Sequence, residues 1–182
     1  MAGLLQSLVP ALARKTQAWM ESQRAEYLPQ TRPLTAGEHT ALASYFAEVC
    51  LSSARVAKVD RIPSPPFLGA ILRQLEFIGE WVHFNFSGAS GITFQECILI
   101  AVPEVGVDLL FHELVHVEQY RLLGVQAFAR AYVQGVVDSS FVYDKIPLEA
   151  VALEMCNRFK AGERFVVSEE LPGWLKLMNY SA

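Results

Sequence analysis

The chain has 182 residues, of which 52% are hydrophobic and 19% are charged. This length suits one ordinary domain with a single core, so a second independent domain is not expected. The formal net charge of −4, with no basic cluster, argues against nucleic acid as a main partner, because phosphate binding needs a stripe of Lys and Arg. No apolar run approaches the roughly 20 residues that cross a bilayer, so we expect a soluble protein without a membrane span.

The N-terminal apolar stretch, residues 4–13, is predicted to begin a core helix and not an export signal. No charge precedes it, and Arg14 and Lys15 follow it, which reverses the usual order of a secretory signal. The chain contains three cysteines, Cys50, Cys97 and Cys156. Their odd number, wide spacing and apolar surroundings predict reduced, buried thiols, and with the missing export signal they predict a cytoplasmic protein.

The N-terminal part is predicted to be helical with one strand. Apolar residues at near-helical spacing indicate a helix over about residues 4–27. Thr35 and Glu38 have the spacing of a capping box, so a second helix should begin there and reach about Leu51. Alternating apolar and polar residues over 54–62 predict a half-buried strand.

A helix and a hairpin are expected next. Residues 67–78 return to helical spacing. Residues 82–86 then alternate, and a β-favouring run covers residues 92–102, with a glycine-containing turn at 87–91 between them. This order predicts a β-hairpin.

The C-terminal half is predicted to be helical. The patterns indicate helices over about residues 107–123 and 125–136, the second being the clearest amphipathic segment of the chain. Residues 138–145 are predicted to be a loop, and Pro147 suits the first turn of a last major helix that reaches about Lys160. The tail residues expected to dock on the body are Trp174, Leu175 and Leu177.

Together these elements predict an α+β fold: a mainly helical single domain over residues 1–182 with a small antiparallel sheet or hairpin. Within it, residues 1–80 form a helical part with one strand. Residues 81–160 carry the hairpin and the helices of the motif described next.

One motif carries recognisable chemistry: His112, Glu113 and His116 in the pattern H-E-x-x-H. Imidazoles four residues apart project from one face of a helix, one turn apart, which lets both bind one zinc ion. Glu113 lies about 100° around the helix from His112, beside the expected metal, where it is placed to take a proton from a zinc-activated water. The spacing therefore predicts two ligands and a general base.

A zinc site of this kind needs a third protein ligand. Neither position 119 nor position 122 is a histidine, so a downstream acid is the better candidate. Glu149 lies in the first turns of the predicted last helix and is flanked by apolar residues, an unusual place for an unpaired carboxylate. Glu154 is the alternative. We favour Glu149, because apolar residues around it pack as a core face.

These residues resemble the gluzincin branch of the zincin metallopeptidases, which carry H-E-x-x-H. More narrowly, residues 112–120 with 146–150 are similar to a group of small, mostly bacterial metallopeptidase domains whose substrates are largely undefined. The resemblance covers about residues 91–158 and implies a zincin-like fold with Zn²⁺ as cofactor. It implies His112, His116 and Glu149 as ligands and Glu113 as the base.

The sequence departs from that family at one position. Well-studied gluzincins often place an acid four residues after the ligating glutamate, where it orients a histidine, and this chain has Leu153 there. Another group must then orient the histidine. The candidates are Asp108, Asp138, Asp144 or a backbone carbonyl.

The assignments predict a zinc-dependent hydrolase, a peptidase acting on a peptide or protein substrate. Tyr143, in the loop before Glu149, is the favoured donor to the developing oxyanion. Its alternatives are Tyr120, Tyr132 and His83. The β-favouring residues 93–101 would offer an edge to an extended substrate, unless loops of the chain cover that edge.

Two other functions stay open at this stage. The first is a zincin-like module that keeps the metal, hydrolyses nothing and serves in protein binding or regulation, which the absence of an acid at Leu153 favours slightly. The second is a metal-free helical scaffold.

Overall fold

Within residues 2–65 and 89–180, which the computed structural model describes, the chain forms six α-helices and a four-stranded sheet. Side chains are described from residue 5 onward. The helices are α1 (Ala2–Tyr27), α2 (Ala36–Leu42), α3 (Glu48–Ser53), α4 (Val107–Asp138), α5 (Pro147–Lys160) and α6 (Val167–Leu177). The strands are β1 (Arg32–Pro33), β2 (Arg55–Lys58), β3 (Gly91–Phe94) and β4 (Cys97–Ile100). This mainly helical α+β architecture confirms the predicted fold class.

Three sequence predictions lie outside the described residues. They are the helix over 67–78, the alternating residues 82–86 with most of the turn that follows them, and the candidate His83.

The sheet is mixed, whereas the sequence predicted a small antiparallel sheet or hairpin. Its strand order is β1-β2-β4-β3, with β1 antiparallel to β2 and β3 antiparallel to β4. The central pair is parallel, with Val56 opposite Ile98. Parallel pairing is set by how distant segments meet, which alternation within one segment does not encode. β2 has neighbours on both sides and is shorter than the predicted strand over 54–62.

The β-favouring run over 92–102 is a hairpin in itself and not one strand. Phe94 pairs with Cys97, which leaves Gln95 and Glu96 as a two-residue turn. Gln95 has a φ of 60°, a conformation that Gly or Asn usually adopts. Because neither of these residues stands here, the sequence gives no signal of a turn. An ion pair from Arg24 of α1 holds Glu96 at this turn.

The predicted helix over 35–51 is two helices, α2 and α3. Its start is as expected: the Thr35 side chain accepts a hydrogen bond from the Glu38 N–H, and Glu38 accepts one from the Thr35 N–H. The break lies after Leu42. Near it, the Tyr45 carbonyl accepts a hydrogen bond of 2.8 Å from the Val167 N–H at the start of α6, so a tertiary contact replaces a helical one.

α4 bends sharply at Gly124. This agrees with the prediction of two separate helices, over about residues 107–123 and 125–136. Gly124 has φ 72° and ψ 160°, a region that only glycine occupies readily. Tyr120 and Phe128 stack across the bend with ring centroids 3.7 Å apart. Eight residues of straight helix would separate them by about 12 Å, so the second half of α4 folds back along the first.

The core lies between α1, the sheet, α4 and α5. Phe111 of α4 stacks on Phe159 of α5 at 4.5 Å, and Trp19 of α1 meets Phe94 of β3 edge to face at 5.2 Å. The tail docks through α6, but only Leu175 of the three predicted residues is buried. Trp174 lies at the surface. Leu177 is 80% exposed, so the prediction that this residue docks on the body is wrong.

The three cysteines are free and buried, as predicted. Burial raises the pKa of the Cys97 thiol to about 11, with repulsion from Glu96 adding to it, so this thiol stays protonated at neutral pH. None of the described helices has both the length and the apolar character that crossing a bilayer requires.

Candidate metal centre

The three side chains predicted to be metal ligands, those of His112, His116 and Glu149, lie close together. Nε2 of His116 is 3.1 Å from Nε2 of His112 and 3.1 Å from Oε2 of Glu149, and Nε2 of His112 is 3.3 Å from the same oxygen. His116 and Glu149 are buried, whereas 15% of the His112 side chain is exposed. These three residues could hold a metal ion.

The spacing of the three atoms fits a tetrahedral ion. Ligand atoms about 2.0–2.1 Å from a zinc ion at tetrahedral angles stand about 3.3–3.4 Å apart. The separations of 3.1–3.3 Å are close to that value. Two imidazole nitrogens and one carboxylate oxygen also form a donor set that zinc accepts, with a fourth position left for water or substrate.

Two tyrosines hold the carboxylate of the third candidate ligand, Glu149. The Tyr132 hydroxyl donates to Oε1 of Glu149 at 2.9 Å, and the Tyr143 hydroxyl donates to Oε2 at 2.6 Å. Tyr132 comes from the folded-back half of α4, and Tyr143 from a 3-10 turn, Tyr143–Lys145, just before α5. The bend at Gly124 is therefore what brings Tyr132 to the centre.

Gln119 connects the two buried ligands. Its Oε1 accepts a hydrogen bond of 2.8 Å from Nδ1 of His116, and its Nε2 donates to the Leu148 carbonyl at 2.9 Å. Because Gln119 Oε1 can only accept, it holds the proton on Nδ1, so a neutral His116 ring would present the lone pair of Nε2 to a metal. The bond to Leu148 fixes α5 beside α4 one residue before Glu149.

The candidate base, Glu113, is buried against the edge strand β3. Its Oε2 accepts a hydrogen bond of 2.7 Å from the Thr93 hydroxyl. Its Oε1 lies over Gly91, where a Cβ atom would stand only 2.6 Å from it, so a side chain at this position would displace the carboxylate. Glu113 lines the same cavity as His116 and Glu149.

Burial and mutual attraction shift the pKa of each buried group. Burial raises the pKa of Glu113, although both histidines and the Thr93 hydroxyl oppose the rise. Burial alone would lower the pKa of His116, but attraction to Glu149, with hydrogen bonds to Glu149 and Gln119, raises it to about 9. Burial likewise opposes ionisation of Glu149, yet the two histidines hold its pKa well below the usual range.

The other sequence candidates lie elsewhere. Glu154 is exposed on α5, on a different face from Glu149. None of the proposed aspartates orients a ligand through the contacts described: Asp138 bonds to Gln6 and Gln134, while Asp108 and Asp144 are exposed. The Tyr120 hydroxyl contacts the sulfur of Met20 at 3.2 Å.

Sequence reasoning missed Gln119 and Thr93. Gln119 had a local signal, since it lies three residues after His116 on one helix, where the two side chains are neighbours on the helix surface. Thr93 had none, because its partner Glu113 is 20 residues away. Within the part of the chain described, β3 pairs only with β4 and lies at an edge of the sheet, whereas β4, the other half of the predicted edge at residues 93–101, lies between β2 and β3 and has no free edge.

Comparison of the chain with known protein families, with curated proteins and with solved structures found no match in any of the three.

Proposed function

We propose that the protein is a zinc-dependent hydrolase that cleaves peptide bonds, with His112, His116 and Glu149 as the ligands and Glu113 as the general base. The observation that carries the proposal is the meeting of three ligand atoms within 3.3 Å of one another, beside a buried carboxylate. Burying two imidazoles and two carboxylates in one place costs desolvation free energy, and a metal ion bound to three of these groups would offset that cost.

Zinc, when bound, supplies a Lewis acid that polarises a carbonyl and lowers the pKa of water toward about 7. The residues of the chain supply the rest. Glu113 takes the proton of the attacking water and passes it to the leaving amine, and burial, which raises the pKa of this carboxyl, favours its acceptance of a proton. The Thr93 hydroxyl fixes the carboxylate for both steps.

Tyr143 is the proposed donor to the developing oxyanion. Its hydroxyl lies 2.6 Å from the ligand oxygen of Glu149, and the residue is 52% exposed, so it borders both the metal position and the space for substrate. Tyr132 is more buried and bonds to the other oxygen of Glu149. We therefore assign Tyr132 to holding the ligand and Tyr143 to the substrate.

The decisive experiment compares Glu113→Gln with wild type for zinc content and for hydrolysis of a peptide library. Loss of the base should lower turnover by at least about 100-fold while zinc content stays at one ion per chain. Glu154→Gln, the same change at an exposed position of α5, is the control and should retain wild-type turnover. A wild-type protein that binds zinc but cleaves nothing would contradict the enzyme and favour a metal-binding module.

The ligand assignment has its own test in competition with a chelator. Glu149→Ala should weaken zinc binding strongly, because the truncated site retains two ligands. Glu154→Ala should leave the affinity unchanged. The reverse order would reassign the third ligand.

Replacing either tyrosine by phenylalanine separates their proposed roles. Tyr143→Phe should lower kcat by about 100-fold with little change in zinc affinity, as expected when one oxyanion donor is removed. Tyr132→Phe should instead weaken zinc binding. Equal effects of the two changes on both quantities would contradict the division of roles.

A further inference from the structure

An apolar chamber opens directly beside the candidate metal centre. It lies between α1 and the folded-back half of α4, has a cavity volume of about 120 Å³ and is partly open to solvent. We define the apolar chamber by six of its lining residues, Leu12, Trp19, Phe128, Val133, Val136 and Phe141. A cavity of about 150 Å³ holds one benzene molecule, so the apolar chamber has room for a single aliphatic or aromatic side chain.

Charge is confined to one end of the apolar chamber. Among the described residues that line it, the charged ones are Glu113, His116 and Glu149, all from the candidate centre. The hydroxyls of Tyr132 and Tyr143 point to that same end, where they bond to Glu149. A ligand that fills the space therefore has a polar group at the centre and a neutral apolar group extending away from it.

The described walls of the apolar chamber disfavour a charged occupant. Leu12 and Trp19 of α1 form one wall, and Val133 and Val136 of α4 form the opposite one. No described lining residue offers a counter-charge away from the centre, and an unpaired ammonium or carboxylate buried there would pay a large desolvation cost. The wall from α1 comes from outside residues 91–158, so the family resemblance carried by those residues does not predict it.

We infer that the apolar chamber selects substrates by taking one large aliphatic or aromatic side chain next to the scissile peptide bond. This rests on the proposed function, because it assigns the polar end of the ligand to the reacting amide. The bond that breaks is then one flanked by Leu, Ile, Met or Phe, and peptides with Gly, Asp or Lys at that position are poor substrates.

Binding of hydroxamates tests the inference without any need for turnover. The hydroxamate group chelates zinc in every probe, so differences in affinity report how well each tail fits the apolar chamber. The probes are acetohydroxamic acid, 4-phenylbutanohydroxamic acid and 6-aminohexanohydroxamic acid, titrated calorimetrically into the zinc-loaded protein. The phenyl tail should tighten binding by at least about 30-fold over acetohydroxamic acid, because it buries apolar surface. The charged tail should bring no gain. Equal affinities for all three probes would overturn the inference.

Variants that fill the apolar chamber should remove the advantage of the phenyl tail. Val136→Phe fills it from α4 and Leu12→Trp from α1, so one variant serves if the other fails to fold. Each should reduce the ratio of phenyl-tail to acetohydroxamic acid affinity at least about tenfold. Val49→Phe is the control, since Val49 lies on α3 and is 54% exposed. An undiminished ratio in both filled variants would place the tail elsewhere and overturn the inference.

The two proposals fail in different ways. Peptides left intact by a protein that still prefers the phenyl tail would contradict hydrolysis while supporting the apolar chamber as a ligand site. Peptides cleaved without preference for a large apolar side chain at the scissile bond would overturn the inference while supporting hydrolysis.

Discussion

At the scale of single residues, Gln119 is the contact that ties the candidate ligands together. One amide group accepts a hydrogen bond from His116 and donates one to the backbone before Glu149. Gln119 is fully buried, so nothing from solvent replaces these bonds when the amide is removed. Partners of this kind set the tautomer and the orientation of a metal-binding imidazole.

We therefore expect Gln119→Ala to weaken zinc binding about 10-fold or more, since the His116 ring loses its anchor. Chelator competition measures the affinity. Gln126→Ala, at an exposed position of the same helix, is the control and should bind zinc as wild type does. Unchanged affinity in Gln119→Ala would mean that packing alone orients His116.

At the scale of elements, the bend at Gly124 decides whether the site forms. With φ 72° and ψ 160°, a residue with a Cβ is strained there although nothing lies within 4 Å of that Cβ position. The bend also carries Phe128 and Tyr132 back to the first half of α4. One backbone conformation thus supports both the stacking across the bend and the hold on Glu149.

Gly124→Ala should lower the free energy of unfolding by about 1–3 kcal/mol, the usual cost of a residue held in this region. Chemical denaturation measures it. Gly173→Ala is a matched control in α6, where the added methyl meets nothing within 4 Å and φ is not positive, so stability should stay the same or rise slightly. Equal stability of Gly124→Ala and wild type would show that the bend adapts.

The start of α2 gives a prediction on pH. Two hydrogen bonds from Arg32, with one from the Thr35 N–H, lower the pKa of Glu38 to about 2. Because an unfolded Glu titrates near 4.3, the charged form stabilises the fold fully above about pH 5, and this contribution is lost as the pH falls toward 2.

Glu38→Gln should therefore lower the free energy of unfolding by about 1 kcal/mol at pH 7, and the difference from wild type should shrink as the pH falls from 5 through 2. Denaturation series across that pH range measure the difference. Glu104→Gln, at an exposed position outside the helices, should show no such pH-dependent gap. A gap independent of pH would contradict the assignment to the Glu38 charge.

At the scale of the whole molecule, the candidate centre joins segments that are far apart in the chain. His116 and Glu149 are separated by 33 positions, and Thr93 of the sheet reaches Glu113 from the other side. A metal ion held by α4 and α5 would therefore bind the folded chain in preference to the unfolded one.

Zinc should thus stabilise the protein, by about 2.7 kcal/mol when free zinc is 100-fold above its Kd. Urea denaturation with buffered zinc, and again with excess chelator, measures the difference. His112→Ala should lose most of this stabilisation. An equal gain in His112→Ala would mean that zinc acts at another place.

The sequence alone determined what depends on short-range spacing. The capping box at Thr35 and Glu38 formed as expected, and α5 begins at Pro147 and ends at Lys160 as the periodicity and the proline indicated. The α+β class and the pairing of Glu149 with the two histidines also followed from residue type and spacing. The capping box and the bounds of α5 are local, so one stretch of chain carries the information. The pairing of Glu149 with the histidines spans 33 positions and was predictable only because a lone buried carboxylate is costly.

Tertiary structure decided what depends on distant partners. The parallel pairing of β2 with β4, the turn at Gln95 and the break after Leu42 arise where segments far apart in sequence meet. The contacts of Glu113 with Thr93 and of Glu149 with Tyr132 have the same origin. The apolar chamber belongs to this group as well, because its two walls become neighbours only when α1 packs against the folded-back half of α4.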